Sequence, residues 1–151
     1  MPEQKINIKN KRATFEFEIL ESFIAGIQLL GTEIKSIREG KVNLGDSFCY
    51  FRKEELWVKN LNIGEYSHGS IYNHEPLRHR KLLLNKKEIR KILSKTKEKG
   101  FTIIPLRLFM SDRGFAKLEI ALARGKKTHD KRDSIKSRES KREIDRAMKD
   151  H

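Results

Sequence analysis

Cysteine is nearly absent: Cys49 stands alone among 151 residues. One thiol cannot close an intrachain disulfide, and it cannot supply a multi-cysteine zinc site. Between Phe48 and Tyr50 it reads as a small buried hydrophobe. No apolar run approaches the roughly 20 residues a membrane-spanning helix needs. The opening MPEQKINIKNKR lacks the apolar stretch of a secretion signal. These absences predict a cytoplasmic protein with no membrane association, no structural metal and no cofactor. A glycine-rich phosphate loop and a nucleophile elbow are missing as well. His68, His74 and His79 do not fill the gap. In HEPLRH (74–79) the two histidines stand five apart rather than four, and Pro76 breaks any helix between them. A ribonuclease would need a paired general acid and base, and no such pairing is visible. The expectation is a binding protein, not an enzyme.

What the chain does have is positive charge, +13 in all. Such an excess favours a polyanionic partner, nucleic acid before a membrane surface. Its distribution is uneven. Residues 1–77 hold 10 Lys+Arg against 11 Asp+Glu, whereas residues 78–99 hold 10 against 2. Residues 100–123 are near balance at 3 against 2, and residues 124–151 return to excess at 11 against 6. A surface made only for solubility would mix its signs. Two basic blocks suggest two contact surfaces.

The coarse pattern is mainly β. TFEFEI (14–19) alternates, with Phe15, Phe17 and Ile19 on one side, and reads as a half-buried strand. TEIKSIRE (32–39) reads as a short helix with Thr32 as its cap and Gly40 just past its end. SFCYF (47–51) and LWVKNL (56–61) read as strands joined by the charged turn Arg52–Glu55. Trp57 falls in the second; it reads as core or barrel surface, with stacking on a base as the functional alternative. Residues 62–80 are loop-rich.

Residues 86–99 give the clearest helix. Asn85 and Glu88 form a capping-box pattern, Ile89, Ile92 and Leu93 make the buried stripe, and Gly100 ends it. Lys87, Lys91 and Lys95 repeat every four residues on the opposite side. Each like-charge pair costs a few tenths of a kcal/mol, roughly, in an isolated helix. The row fits either a solvated face or a phosphate-facing one. FTIIPLRLFM (101–110) and FAKLEIAL (115–122) form a hairpin across Ser111–Gly114, with Pro105 marking an edge or a bulge. The fold class expected is an antiparallel sheet or small barrel with two or three helices.

From Arg124 the character changes. Residues 124–151 contain no aromatic residue, and their larger apolar residues are Ile135, Ile144 and Met148. Such a segment buries too little to offset its ordering entropy, and is expected to be disordered when free. Two parts follow: residues 1–124 as a barrel and residues 125–151 as a basic tail. The run GKKTHDKR (125–132) is more specific than charge requires. His129 can stack on a base, and Asp130 can accept a hydrogen bond from one. The plainer reading is a basic linker.

Four segments together resemble one family. NKRATFEFEI (10–19), AGIQLLGTEIKSIREGKVNLGDSF (25–48), NHEPLRHRKLLLNKKEI (73–89) and GKKTHDKR (125–132) are similar to the small protein B family, the SsrA-binding proteins of bacteria. The resemblance implies an oligonucleotide-binding-fold barrel of six antiparallel strands with three helices. It implies binding to the tRNA-like domain of transfer-messenger RNA (tmRNA), and ribosome rescue by trans-translation. Carried over residue by residue, the tmRNA contacts fall on Asn10, Lys11, Arg12, Glu33, Lys35, Leu83 and Lys117. The tail contacts, in the decoding centre and empty mRNA channel of the small subunit, fall on Gly125, Lys126, Lys127, His129, Asp130, Lys131 and Arg132, with Met148 farther along. The partners implied are tmRNA, small-subunit ribosomal RNA and the stalled 70S ribosome. Elongation factor Tu and alanyl-tRNA synthetase would be reached indirectly through the RNA, by a monomer.

This chain departs from the family pattern twice. It has Ile24 in IAG where relatives commonly have glutamate in EAG, and Ala147-Met148 where some have Ile-Met. The alternative function is a ribosomal or ribosome-assembly protein bound stably to ribosomal RNA.

Overall fold

The computed structural model describes residues 6–69, 73–98 and 100–126. Its main sheet closes on itself. The ring runs β8 (Phe101–Met110), β4 (Phe48–Arg52), β5 (Glu55–Lys59), β7 (Arg80–Leu83), β2 (Phe17–Ile27), β9 (Ala116–Gly125) and back to β8. Every pairing in it is antiparallel. This is the six-stranded barrel expected of the oligonucleotide-binding fold. Closure leaves few open edges for stray pairing. A separate two-residue ladder joins β3 (Val42–Asn43) to β6 (Asn62–Ile63).

Alternation along the strands fills the interior. Leu56 and Val58, Leu82, Leu108, and Leu118 and Ile120 are each at most 1% exposed. Ile37 of α2 (Gly31–Arg38) and Ile92 of α3 (Lys86–Thr96) join the same core. Asn85 caps α3 as its sequence predicts. Its side chain accepts from Glu88 N at 2.8 Å, while Glu88 returns to Asn85 N at 3.4 Å. Gly100, at φ +91°, turns the chain after the helix. The helix itself stops at Thr96, three residues short of the span expected, and Lys97 is its C-cap.

Pro105 sits where β8 changes neighbours. On one edge Ile103 pairs with Cys49 of β4, whereas Arg107–Phe109 pair with β1 (Asn7–Lys9). On the other edge, the register against β9 slips between Pro105 and Arg107. A residue without an N–H is tolerated at such a bulge.

Two readings are corrected. Thr14–Glu16 are not strand: they belong to α1 (Lys11–Glu16), and β2 begins at Phe17. Alternation misled because the buried contact in this stretch is Ala13, wedged against Ile104 and Ala123, while Phe15 is 56% exposed. Tertiary packing outweighed the local period. Thr32 does not cap α2 either. The helix begins one residue earlier, Glu33 reaches back to accept from Leu30 N at 2.7 Å, and the Thr32 hydroxyl is engaged by His74 at 2.8 Å. Among the described residues no helix is long and apolar enough to cross a membrane.

Candidate nucleic-acid interface

Strand register places Gly26 of β2 between Leu83 of β7 and Lys117 of β9. The row continues to Phe109 of β8 and Asn7 of β1. All point away from the core that Ala25, Leu82 and Leu118 fill from the opposite pleat. A Cβ on Gly26 would lie 3.3 Å from Leu83 Cβ, so glycine keeps a saddle open between the leucine and the lysine. Leu83 is 47% exposed. The next outward row runs from Ile24 through Glu119 and Arg107 to Lys9. There Arg107 Nε donates to Glu119 at 2.6 Å, and its guanidinium lies over the Phe109 ring at 4.1 Å. Apolar ground flanked by cations suits an RNA backbone whose sugars and bases lie against it. Ile24, the departure from EAG, is exposed on this face and offers it no charge.

The first motif stands at one side of these rows. Asn10 is buried; its amide donates to Pro105 O at 2.9 Å, and its backbone N–H to Leu106 O at 2.7 Å. It thereby fixes the turn from β1 into α1, on which Lys11 and Arg12 are exposed. Arg12 donates to Asp46 at 2.9 Å and to Glu16 at 3.1 Å.

Glu33 and Lys35 form a second group, on α2. Lys35 is exposed, with its Nζ 5.5 Å from the Tyr66 ring centre. Glu33 has no exposed surface. Its carboxylate accepts from Arg80 Nε at 2.6 Å and from Arg78 at 2.7 and 3.1 Å. Burial pushes the Glu33 pKa up. The hydrogen bonds from Arg78 and Leu30, with the charge and hydrogen bond of Arg80, more than offset it and hold the group below its ordinary value. Glu33 itself reaches no surface; it orients Arg78, whose side chain keeps about a third of its surface exposed (32%).

Arg80 changes the meaning of the 78–99 charge block. Fully buried, it donates to Glu33, to Leu61 O at 2.7 Å and to Pro76 O at 3.2 Å, tying α2 to the loop before β7. Lys81 pairs with Glu55 at 2.7 Å and Lys91 with Glu21 at 2.6 Å. Part of the block that reads as one contact surface is thus engaged by the chain's own carboxylates, Arg80 inside the fold and Lys81 and Lys91 at its surface. Sequence reasoning missed this because the matching carboxylates lie 26 to 70 residues away.

The root of the tail is described and the rest is not. Gly125 pairs with Phe17, Lys126 N donates to Glu16 O at 3.0 Å, and Lys126 Nζ lies 6.0 Å from the Phe15 ring centre. Lys127, His129, Asp130, Lys131, Arg132 and Met148 lie outside the described residues, as does the disorder expected of the free tail.

A family model described as "SmpB protein" matches residues 7–150. The chain belongs to the SmpB family. SsrA-binding proteins of Parabacteroides distasonis and Cytophaga hutchinsonii are 59% and 57% identical to it, each over 95% of this chain and 94% of the relative. That of Bacteroides thetaiotaomicron is 56% identical over 99% of both. A solved chain from "tmRNA-SmpB: a journey to the center of the bacterial ribosome" superposes with a TM-score of 0.71 at 47% identity. It covers 93% of this SmpB-family chain and 95% of its own length. The barrel and its helices are thus those of an RNA-binding family.

Proposed function

We propose that this chain binds tmRNA and brings it to stalled ribosomes for trans-translation, so that unfinished peptides are tagged for degradation. Membership of the SmpB family over residues 7–150 carries this reading. The outward row Leu83–Gly26–Lys117 gives it a surface. On the barrel, Lys117 and Leu83 contact the tRNA-like domain, with Lys11, Arg12 and Lys35 beside them. Asn10 and Glu33 act by holding neighbouring backbone and side chains in place.

The tail supplies a separate function. Gly125, Lys126, Lys127, His129, Asp130, Lys131 and Arg132 enter the decoding centre, where codon and anticodon would otherwise pair, and Met148 sits farther along the mRNA channel. The barrel, residues 1–124, and the tail, residues 125–151, are therefore separable in function. The protein acts in the cytoplasm as a monomer. Elongation factor Tu and alanyl-tRNA synthetase meet it indirectly, through the RNA. The ribosome does the chemistry, so no catalytic group is needed here.

A salt series tests the electrostatic part. Affinity for tmRNA falls by about 0.7 log unit per log unit of salt for each phosphate contact released. An affinity indifferent to salt would overturn the surface assigned. A stably bound ribosomal protein would instead sediment stoichiometrically with all ribosomes.

A further inference from the structure

The outer face of β4 and β5 is unused by the rows around Gly26. In the closed ring this strand pair lies opposite β2 and β9. Its outward positions interleave rings and cations: Phe48, Tyr50 and Arg52 on β4 face Lys59, Trp57 and Glu55 on β5. Lys81 of β7 lies beside Trp57. Arg52 stands 5.9 Å from the Trp57 ring centre and Lys59 5.8 Å from that of Phe48. Tyr50 is held edge-on to His79, with ring centres 5.6 Å apart and the phenol hydrogen-bonded to His79 Nδ1 at 2.7 Å. Glu55 is the one carboxylate among these outward positions, and Lys81 pairs with it. Fixed rings bearing adjacent cations are the means by which barrels of this kind stack unpaired bases and hold their phosphates.

We propose that Trp57, supported by Tyr50 and Phe48, is a stacking platform for an unpaired base of ribosomal RNA. The inference rests on the tmRNA-delivery reading: tmRNA seated across Gly26 leaves the opposite side of the barrel turned to the ribosome. Arg52 and Lys59 then lie where the phosphates flanking a stacked base would pass.

Two measurements test it. Trp57 is the single tryptophan of the chain, so its emission reports its own ring. Titration of the full chain with oligoadenylate quenches that emission at low salt and releases it at high salt; unchanged emission overturns the platform. In the second measurement, tmRNA-bound chain is titrated with stalled ribosomes. Trp57→Ala weakens ribosome binding about tenfold and leaves tmRNA affinity unchanged, while Trp57→Tyr, which keeps a ring, restores it. Equal ribosome affinity in Trp57→Ala, or a parallel loss of tmRNA affinity, overturns the proposal. If Trp57→Ala does not fold, Phe48→Ala on the exposed rim takes its place under the same criteria. Failure of the parent chain to bind tmRNA would instead strike the delivery reading itself.

Discussion

Glu33 and Arg80 meet at 2.6 Å with neither side chain exposed, and the pair fastens α2 to the start of β7. Removing one partner strands the other charge. Glu33→Ala is expected to cost about 3–5 kcal/mol, read from urea or thermal unfolding. A loss within the range of a surface substitution would show that the pair does not hold these elements.

The same carboxylate makes stability depend on acid. Its folded pKa lies below the ordinary value of 4.5, so its contribution is present in full above that value and fades as pH falls through the folded one. Denaturation midpoints of the parent chain should drop on the acid side of 4.5. Glu33→Gln, measured alongside, should be less stable at neutral pH and lack this part of the slope.

On the Gly26 saddle, Lys117→Ala is expected to weaken tmRNA binding by about 1–2 kcal/mol, the scale of one charged hydrogen bond. Gly26→Leu fills the space between Leu83 and Lys117 and should weaken binding at least as much. Circular dichroism and the unfolding midpoint check that the barrel is intact. A filled saddle with undiminished affinity would move the RNA off this face.

Truncation should separate barrel from tail. Because Gly125 is still in the ladder and Lys126 still bonds Glu16, the cut belongs after Lys126. The shortened chain should keep its tmRNA affinity and lose peptide tagging. If both disappear together, the division of labour is wrong.

The β4–β5 turn carries avoidable strain. Lys53 and Glu54 both adopt positive φ, 50° and 64°, in the left-handed region that non-glycine residues enter at a cost. Lys53→Asn with Glu54→Gly should stabilise the protein by about 1–2 kcal/mol. The unfolding midpoint is the readout, and RNA binding should not change.

Four of the six barrel strands, β4, β5, β8 and β9, were legible because their determinants are local, whereas β7 and most of β2 went unread. Cys49, Leu56, Val58, Leu118 and Ile120 alternate as a half-buried sheet must, and Asn85 and Glu88 announce a helix within four residues. What escaped depends on distance along the chain. No local rule reveals that Arg80 is spoken for by Glu33, 47 residues earlier, or that Ala13 of a one-and-a-half-turn helix covers Ala123. At the site, Lys117 and Leu83 were identifiable only through family resemblance. Their common position was not visible, because the residue between them, Gly26, contributes by having no side chain.

The last rung of the β2–β9 ladder, Phe17 against Gly125, has a geometric consequence. It gives the tail a fixed origin, so every later residue is confined to a sphere about that point. From Lys126 to Met148 is 22 residues. They span at most about 75 Å fully extended and about 33 Å as a helix. With tmRNA seated on the barrel as proposed above, that leash length sets how far from the barrel Met148 can reach. Lengthening or shortening it by a few residues should shift function without altering a single contact in the barrel.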